Sequence, residues 1–264
     1  MEQQARDFSN VSVLVVEDNK INQLLVKNVL KKFGFKVVDT ADEGKTALEL
    51  LESNVYDIVL MDIRMPGIDG YEATRIIRSN ANKKISAVPV IALTGDASET
   101  EKEKARAAGM NDYVCKPYGA DELIGTISRH VKTGSTPFAS ASPAEIPGMD
   151  LEFLAKFTGG DQELTIQLIE IFLQQVPEAV EKIESLLPEK RWNEIFPVAH
   201  KVKSSFAIFG LDDIRLCVIS IEEYTRDQIK LEKVPALFEQ FKSGSAVAVK
   251  NLQVELQKLK NSPQ

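Results

Sequence analysis

The strongest constraint in this sequence is a change of period. From residue 11 to residue 131 short apolar runs alternate with amphipathic segments, whereas beyond about residue 150 every segment carries helical spacing alone. The apolar runs are 11–16, 36–38, 57–61, 88–93 and 112–115, and four of the five are rich in Val, Ile, Leu or Met with little two-residue alternation. That is the signature of strands buried on both faces of a parallel sheet. Helical patterns lie between and after them at 19–33, 42–53, 70–79, 98–108 and 119–132. Five strands alternating with five helices predict a doubly wound α/β domain.

Residues 133–148, TGSTPFASASPAEIPG, are dense in Ser, Pro, Gly and Ala and poor in large apolar residues, which marks a flexible linker. The expected division is therefore a first domain at 1–132, a linker at 133–148 and a second domain at 149–264. In the last of these, helices are expected at 150–157, 162–187, 192–209, 213–228 and 234–259, with turn signals at Gly159-Gly160, Pro188 and Gly210. Long helices with short connections make an all-α bundle. Pro177 falls inside the second of them and is expected to kink it, because apolar spacing continues through Val180, Ile183 and Leu187.

Charge and cysteine content exclude several classes. With 39 acidic and 32 basic residues the net charge is -7, which disfavours a phosphate-backbone footprint, so nucleic acid is not expected as a partner. No apolar run reaches the roughly 18 residues of a membrane span, and residues 1–10 contain no apolar targeting core, so a cytoplasmic location is expected. Cys115 and Cys217, far apart in apolar surroundings, read as small buried residues in a reducing compartment.

In a doubly wound sheet ligands bind beyond the carboxyl ends of the strands. The residues there are Glu17-Asp18 after the first strand, Asp62 after the third, Thr94 after the fourth and Lys116-Pro117 after the fifth. Three carboxylates at one edge repel each other and call for a cation, and an all-oxygen site suits Mg²⁺. A lysine and a hydroxyl at the same edge suit a phosphoryl group. Asp57, Asp69 and Asp112 carry no special spacing and read as caps or solvated residues.

The ordered set VLVVEDN, VLMDIRMPGIDG, ALTG and DYVCKP resembles the receiver domain of two-component response regulators over about 120 residues. The resemblance implies a flavodoxin-like (βα)5 fold with Asp62 as phospho-acceptor. It implies Glu17, Asp18, Asp62 and the Arg64 carbonyl as Mg²⁺ ligands, and Thr94 and Lys116 as partners of the phosphoryl oxygens. Pro117 would follow a cis peptide, and Tyr113 would be the switch aromatic that moves with Thr94. Glu17 stands where many receivers have Asp, and Gly95 where Ala is commoner.

The second domain holds His200, and the only other histidine, His130, closes the last helix of the first domain as a surface residue. In the helix 192–209 the core spacing of Ile195, Ala199, Val202, Phe206 and Phe209 leaves His200, Lys203 and Ser204 on a flanking face. An exposed imidazole one turn from an ammonium is a nucleophile beside a phosphate-binding charge. The run AHKVKSSFAIFGL resembles the histidine phosphotransfer (HPt) motif, and the resemblance spans about 110 residues. It implies His200 as phospho-carrier and Lys203 as its stabiliser, with Ser204, Ser205 and Gly210 at the docking face.

Together these resemblances imply a phosphorelay module, similar to the C-terminal end of a hybrid sensor histidine kinase, passing phosphoryl groups between an upstream histidine kinase domain and a downstream response-regulator receiver. Direct receiver–HPt contact within the chain is a further expectation. No P-loop and no kinase ATP-binding boxes are present, so ATP-dependent activity is not expected. A phosphatase of the haloacid dehalogenase type would need Asp where Arg64 stands. The alternative is an allosteric receiver whose helical domain docks partners without being phosphorylated.

Overall fold

A computed structural model describes residues 7–95, 98–116, 118–131, 154, 158 and 160–261. The chain divides into two compact units, Met1–Ala144 and Glu145–Gln264. The expected linker and Pro117 lie outside the described residues.

In the first unit the order is β1 (Ser12–Val16), α1 (Lys20–Lys32), β2 (Val37–Ala41), α2 (Gly44–Ser53), β3 (Ile58–Asp62), α3 (Gly70–Ser79), α4 (Lys83–Ser86), β4 (Val90–Thr94), α5 (Glu99–Ala108), β5 (Asp112–Cys115) and α6 (Ala120–His130). The strands form one parallel sheet in the order β2-β1-β3-β4-β5, as a doubly wound fold requires. Alternate residues face opposite sides. Leu14, Val16, Val59, Met61, Val90 and Ala92 pack under α2, α3 and α5, while Val13, Val15, Ile58, Leu60, Ile91 and Leu93 pack under α1 and α6.

Two details depart from the expected elements. β2 runs on through Asp39, Thr40 and Ala41, paired in register with β1 from Ser12↔Val37 to Val16↔Ala41. It is an edge strand, and half-burial tolerates polar residues that a central strand would not. The four-residue α4 was not expected, and Asn82 caps it by accepting from the Lys84 amide at 3.0 Å. Asp69 caps α3 through the Glu72 amide at 2.7 Å. Asp57 instead ties β1 to the start of β3 by accepting from the Ser12 amide at 2.8 Å.

The second unit contains α7 (Gln162–Leu186), α8 (Trp192–Ile208), α9 (Asp212–Asp227), a 3-10 turn at Leu231–Lys233 and α10 (Val234–Asn261). Of the helix expected at 150–157 only Leu154 is described, helical and buried, as is Thr158 just beyond it. Leu164, Leu168, Phe172, Val176 and Ile183 form the inner stripe of α7, facing Ile195, Ala199, Val202 and Phe206 of α8 and Phe238 and Phe241 of α10. Rings knit the core: Phe172 meets Phe206 edge-on at 5.5 Å, and Phe206 meets Phe241 likewise at 5.8 Å. α7 passes through Pro177 without ending, and α8 likewise contains Pro197.

Candidate functional site

The acidic edge of the first unit forms because consecutive parallel strands end side by side. Glu17 and Asp18 follow β1 directly, Asp62 closes β3, Thr94 closes β4, and Lys116 follows β5. All three carboxylates are buried, and each offers an oxygen within 4.8 Å of the others. Lys116 Nζ donates to Glu17 Oε2 at 2.5 Å and to Asp62 Oδ2 at 2.7 Å. The other Asp62 oxygen accepts from the Arg64 amide at 3.1 Å. Glu17 Oε1 accepts from Asn22 Nδ2 at 2.8 Å, and Gln23 Nε2 donates to the Glu17 carbonyl at 2.5 Å and to Asp42 Oδ1 at 2.7 Å. Asn19, which caps α1, begins the helix immediately beyond the cluster. Asn19, Asn22 and Gln23 therefore fix the acidic loop from below, a role that the sequence reading missed.

Burial pushes the Glu17 carboxyl up to about 8, with Asp62 and Asp18 adding to the rise and Lys116 opposing it. Burial alone would lower the Lys116 ammonium, but Asp62 and Glu17 outweigh it and hold it above its ordinary value. Burial likewise raises the phenol of Tyr118, which lies close enough to feel Lys116, Glu17 and Asp62. One ammonium among three buried carboxylates leaves the edge rich in negative charge. A hard divalent cation with oxygen ligands fits this donor set. Thr94 is buried, and its carbonyl accepts from the Lys116 amide at 2.6 Å, so the ends of β4 and β5 are held together.

Tyr113 is half-buried on β5 opposite Ala92, and Lys102 Nζ lies 5.2 Å from its ring centre. His130 was expected at the surface beside the helix end. It closes α6 with its side chain partly exposed, and its Nε2 lies 3.0 Å from Asp112 Oδ2, which also accepts from Arg129 at 2.9 Å. Both cysteines are half-buried rather than buried.

In the second unit His200 is not the exposed residue that was expected, since its side chain is only 10% exposed. Nδ1 lies 2.7 Å from Glu222 Oε1, and the Phe196 ring one turn earlier lies 6.1 Å from the imidazole. Among the described residues the ring has no second hydrogen-bond partner, which leaves Nε2 for chemistry. Lys203 Nζ donates to both Glu222 oxygens, at 3.0 and 2.7 Å. Burial would raise the Glu222 carboxyl, but the His200 hydrogen bond and the Lys203 charge outweigh it and pull it down to about 2. Ser204 is half-buried, whereas Ser205 and Gly210, expected at the docking face, are buried against the bundle.

Glu222 escaped the sequence reading because it lies on α9, 22 residues from His200. One signal was present: Val218, Ile221, Glu222 and Thr225 form the buried stripe of α9, so a carboxylate occupies an apolar position. A buried carboxylate needs a partner.

Family models match both units: the response regulator receiver domain over residues 13–128 and the Hpt domain over residues 167–261. The virulence sensor protein BvgS of Bordetella pertussis is 28% identical over 235 residues, covering 83% of this chain and 18% of that protein. The signal transduction histidine-protein kinase BarA of Escherichia coli is 28% identical over 238 residues, covering 87% of this chain and 26% of that protein. The chain thus spans about a fifth to a quarter of the length of these relatives. Among solved structures, the receiver domain of the sensor histidine kinase PA1611 of Pseudomonas aeruginosa, with a magnesium ion coordinated in its active site cleft, is 40% identical. It covers 46% of this chain and 96% of that one, with a TM-score of 0.42.

Proposed function

Since this chain carries a response regulator receiver domain followed by an Hpt domain, and so belongs to the two-component signalling proteins, we propose that it is a phosphorelay module in which Asp62 accepts a phosphoryl group and His200 carries one. The observation that carries this reading is the buried cluster of Glu17, Asp18 and Asp62 bridged by Lys116 at the strand ends.

Glu17, Asp18, Asp62 and the Arg64 carbonyl would hold Mg²⁺. When bound, the ion supplies charge neutralisation for the carboxylate and the incoming phosphoryl oxygens. The remaining work falls to the chain. An Asp62 oxygen attacks the phosphorus of a phosphohistidine donor; a P–O bond forms, the P–N bond breaks, and its electron pair returns to the donor ring. Lys116, held by Glu17 on one side and Asp62 on the other, would bind a phosphoryl oxygen, and the Thr94 hydroxyl another. Tyr113 is the aromatic that would respond to Thr94.

Phosphoryl transfer to or from His200 takes place at Nε2, because Glu222 engages Nδ1. The partners proposed are an upstream histidine kinase domain and a downstream response-regulator receiver, and the location cytoplasmic. Among the described residues no helix is long and apolar enough to cross a membrane.

Acetyl phosphate with Mg²⁺ is expected to load Asp62, and chelation or Asp62→Asn to abolish loading. Uptake at the normal rate by Asp62→Asn would refute the assignment. Label passed from a phosphorylated receiver should appear on the second domain and disappear with His200→Ala. Intact signalling in His200→Ala would favour the docking alternative instead.

A further inference from the structure

The geometry points to Glu222 as the residue that sets the lifetime of phosphorylated His200, because it holds Lys203 on its own carboxylate and away from the phosphoryl group. This deepens the proposal above and depends on His200 being the phosphorylated residue. Glu222 is 2% exposed, yet it binds three polar hydrogens: one from His200 Nδ1 at 2.7 Å and two from Lys203 at 3.0 and 2.7 Å. An ion pair with a buried carboxylate is screened far less than one with a phosphoryl group facing water. Pulling Lys203 away would leave that carboxylate with the imidazole alone, at the cost of an undercompensated buried charge. Arg226, another cation whose charge feels Glu222, is paired with Asp227 at 2.7 Å and gives no ready replacement.

Phosphorylation forms a P–N bond at Nε2 and breaks the donor's P–O bond, whose electron pair stays on the donor carboxylate. Nδ1 keeps its proton on Glu222, so the ring becomes cationic and the phosphoryl group anionic. Hydrolysis breaks the P–N bond as a water oxygen attacks phosphorus, and the electron pair returns to Nε2. Lys203 would slow that loss only by moving its charge to the phosphoryl oxygens. With Glu222 holding the ammonium, the phosphohistidine is left short-lived and ready to transfer. Lys203 is thus less a stabiliser of phosphohistidine than its motif position implies.

The test uses the full chain carrying Asp62→Asn, so that the receiver cannot drain the label, and phosphoramidate as the phosphoryl donor. Phosphorus NMR follows the decay of phosphohistidine. Glu222→Gln keeps an acceptor for Nδ1 but releases Lys203, and should lengthen the lifetime by about fivefold, the effect of one ion pair worth about 1 kcal/mol. In a Lys203→Ala background the same change should do nothing. Lys203→Gln, which can still donate to Glu222, serves if Lys203→Ala does not fold. An unchanged or shortened lifetime, or equal lengthening without Lys203, would overturn the inference. Failure of the parent to label His200 at all would overturn the reading beneath it.

Discussion

At the scale of single residues, the two sites differ in how their charges are balanced, and each difference can be measured. Glu222 is held near 2 against an ordinary value of 4.5, so its ionised form is favoured in the folded state. A depressed carboxyl contributes stability fully above about pH 4.5 and loses it as pH falls toward 2. The amount is roughly 3 kcal/mol. Trp192, the only tryptophan, lies on α8 and reports on the helical unit alone, so its fluorescence in an acid titration should show an unfolding slope that Glu222→Gln flattens. The acidic edge makes the opposite case, since its carboxylates lack enough counter-charge. Mg²⁺ at about a hundred times its dissociation constant should stabilise the first unit by about 2.7 kcal/mol. Calorimetry should show this shift in melting, and Asp18→Asn should remove most of it. The acidic edge was legible in the sequence because topology alone brings strand ends together, whereas Glu222 was not, because pairing across a bundle depends on which helix faces meet.

Among the secondary-structure elements, what the sequence reading missed is what tertiary contacts decide. The short α4 has too few residues for a period, and it is held from outside by Arg78 of α3. That guanidinium donates to the carbonyls of Ser86 at 3.0 Å, Val88 at 2.8 Å and Gly109 at 2.8 Å, and to Asn111 Oδ1 at 2.7 Å. It therefore ties the end of α4, the approach to β4 and the end of α5 into one corner. Arg78→Ala should cost about 3 kcal/mol, because several acceptors lose a charged donor at once. Arg78→Lys should recover little, since a single ammonium cannot span the fork. Denaturant melts of the two variants check both statements. A contrasting case lies in α10, where the Ser245 hydroxyl is buried with no hydrogen-bond partner among the described residues. Ser245→Ala should leave the helical unit as stable or raise it by about 1 kcal/mol. Strand and helix types in the first unit were readable because apolar period and strand order agree there. β2 was cut short because an edge strand accepts Asp39 and Thr40.

For the whole molecule, the chain divides into two units, and each has its own core: sheet-centred in one, ring-centred in the other. Two separable unfolding transitions should follow, and cutting the chain near Ser140 should leave both unchanged. Whether one chain relays to itself is a question of tether and concentration. The linker expected at residues 133–148 lies outside the described residues, and its Ser, Pro, Gly and Ala content is that of a flexible tether. A short flexible tether holds linked sites at an effective concentration of order millimolar. Transfer within one chain should then proceed at a rate independent of protein concentration, and Lys203→Ala should slow it. Rates measured over about a hundredfold dilution decide the matter. A rate that falls in proportion would assign the two domains to other molecules while leaving the proposed roles of Asp62 and His200 untouched, because the chemistry of each site is set inside its own unit.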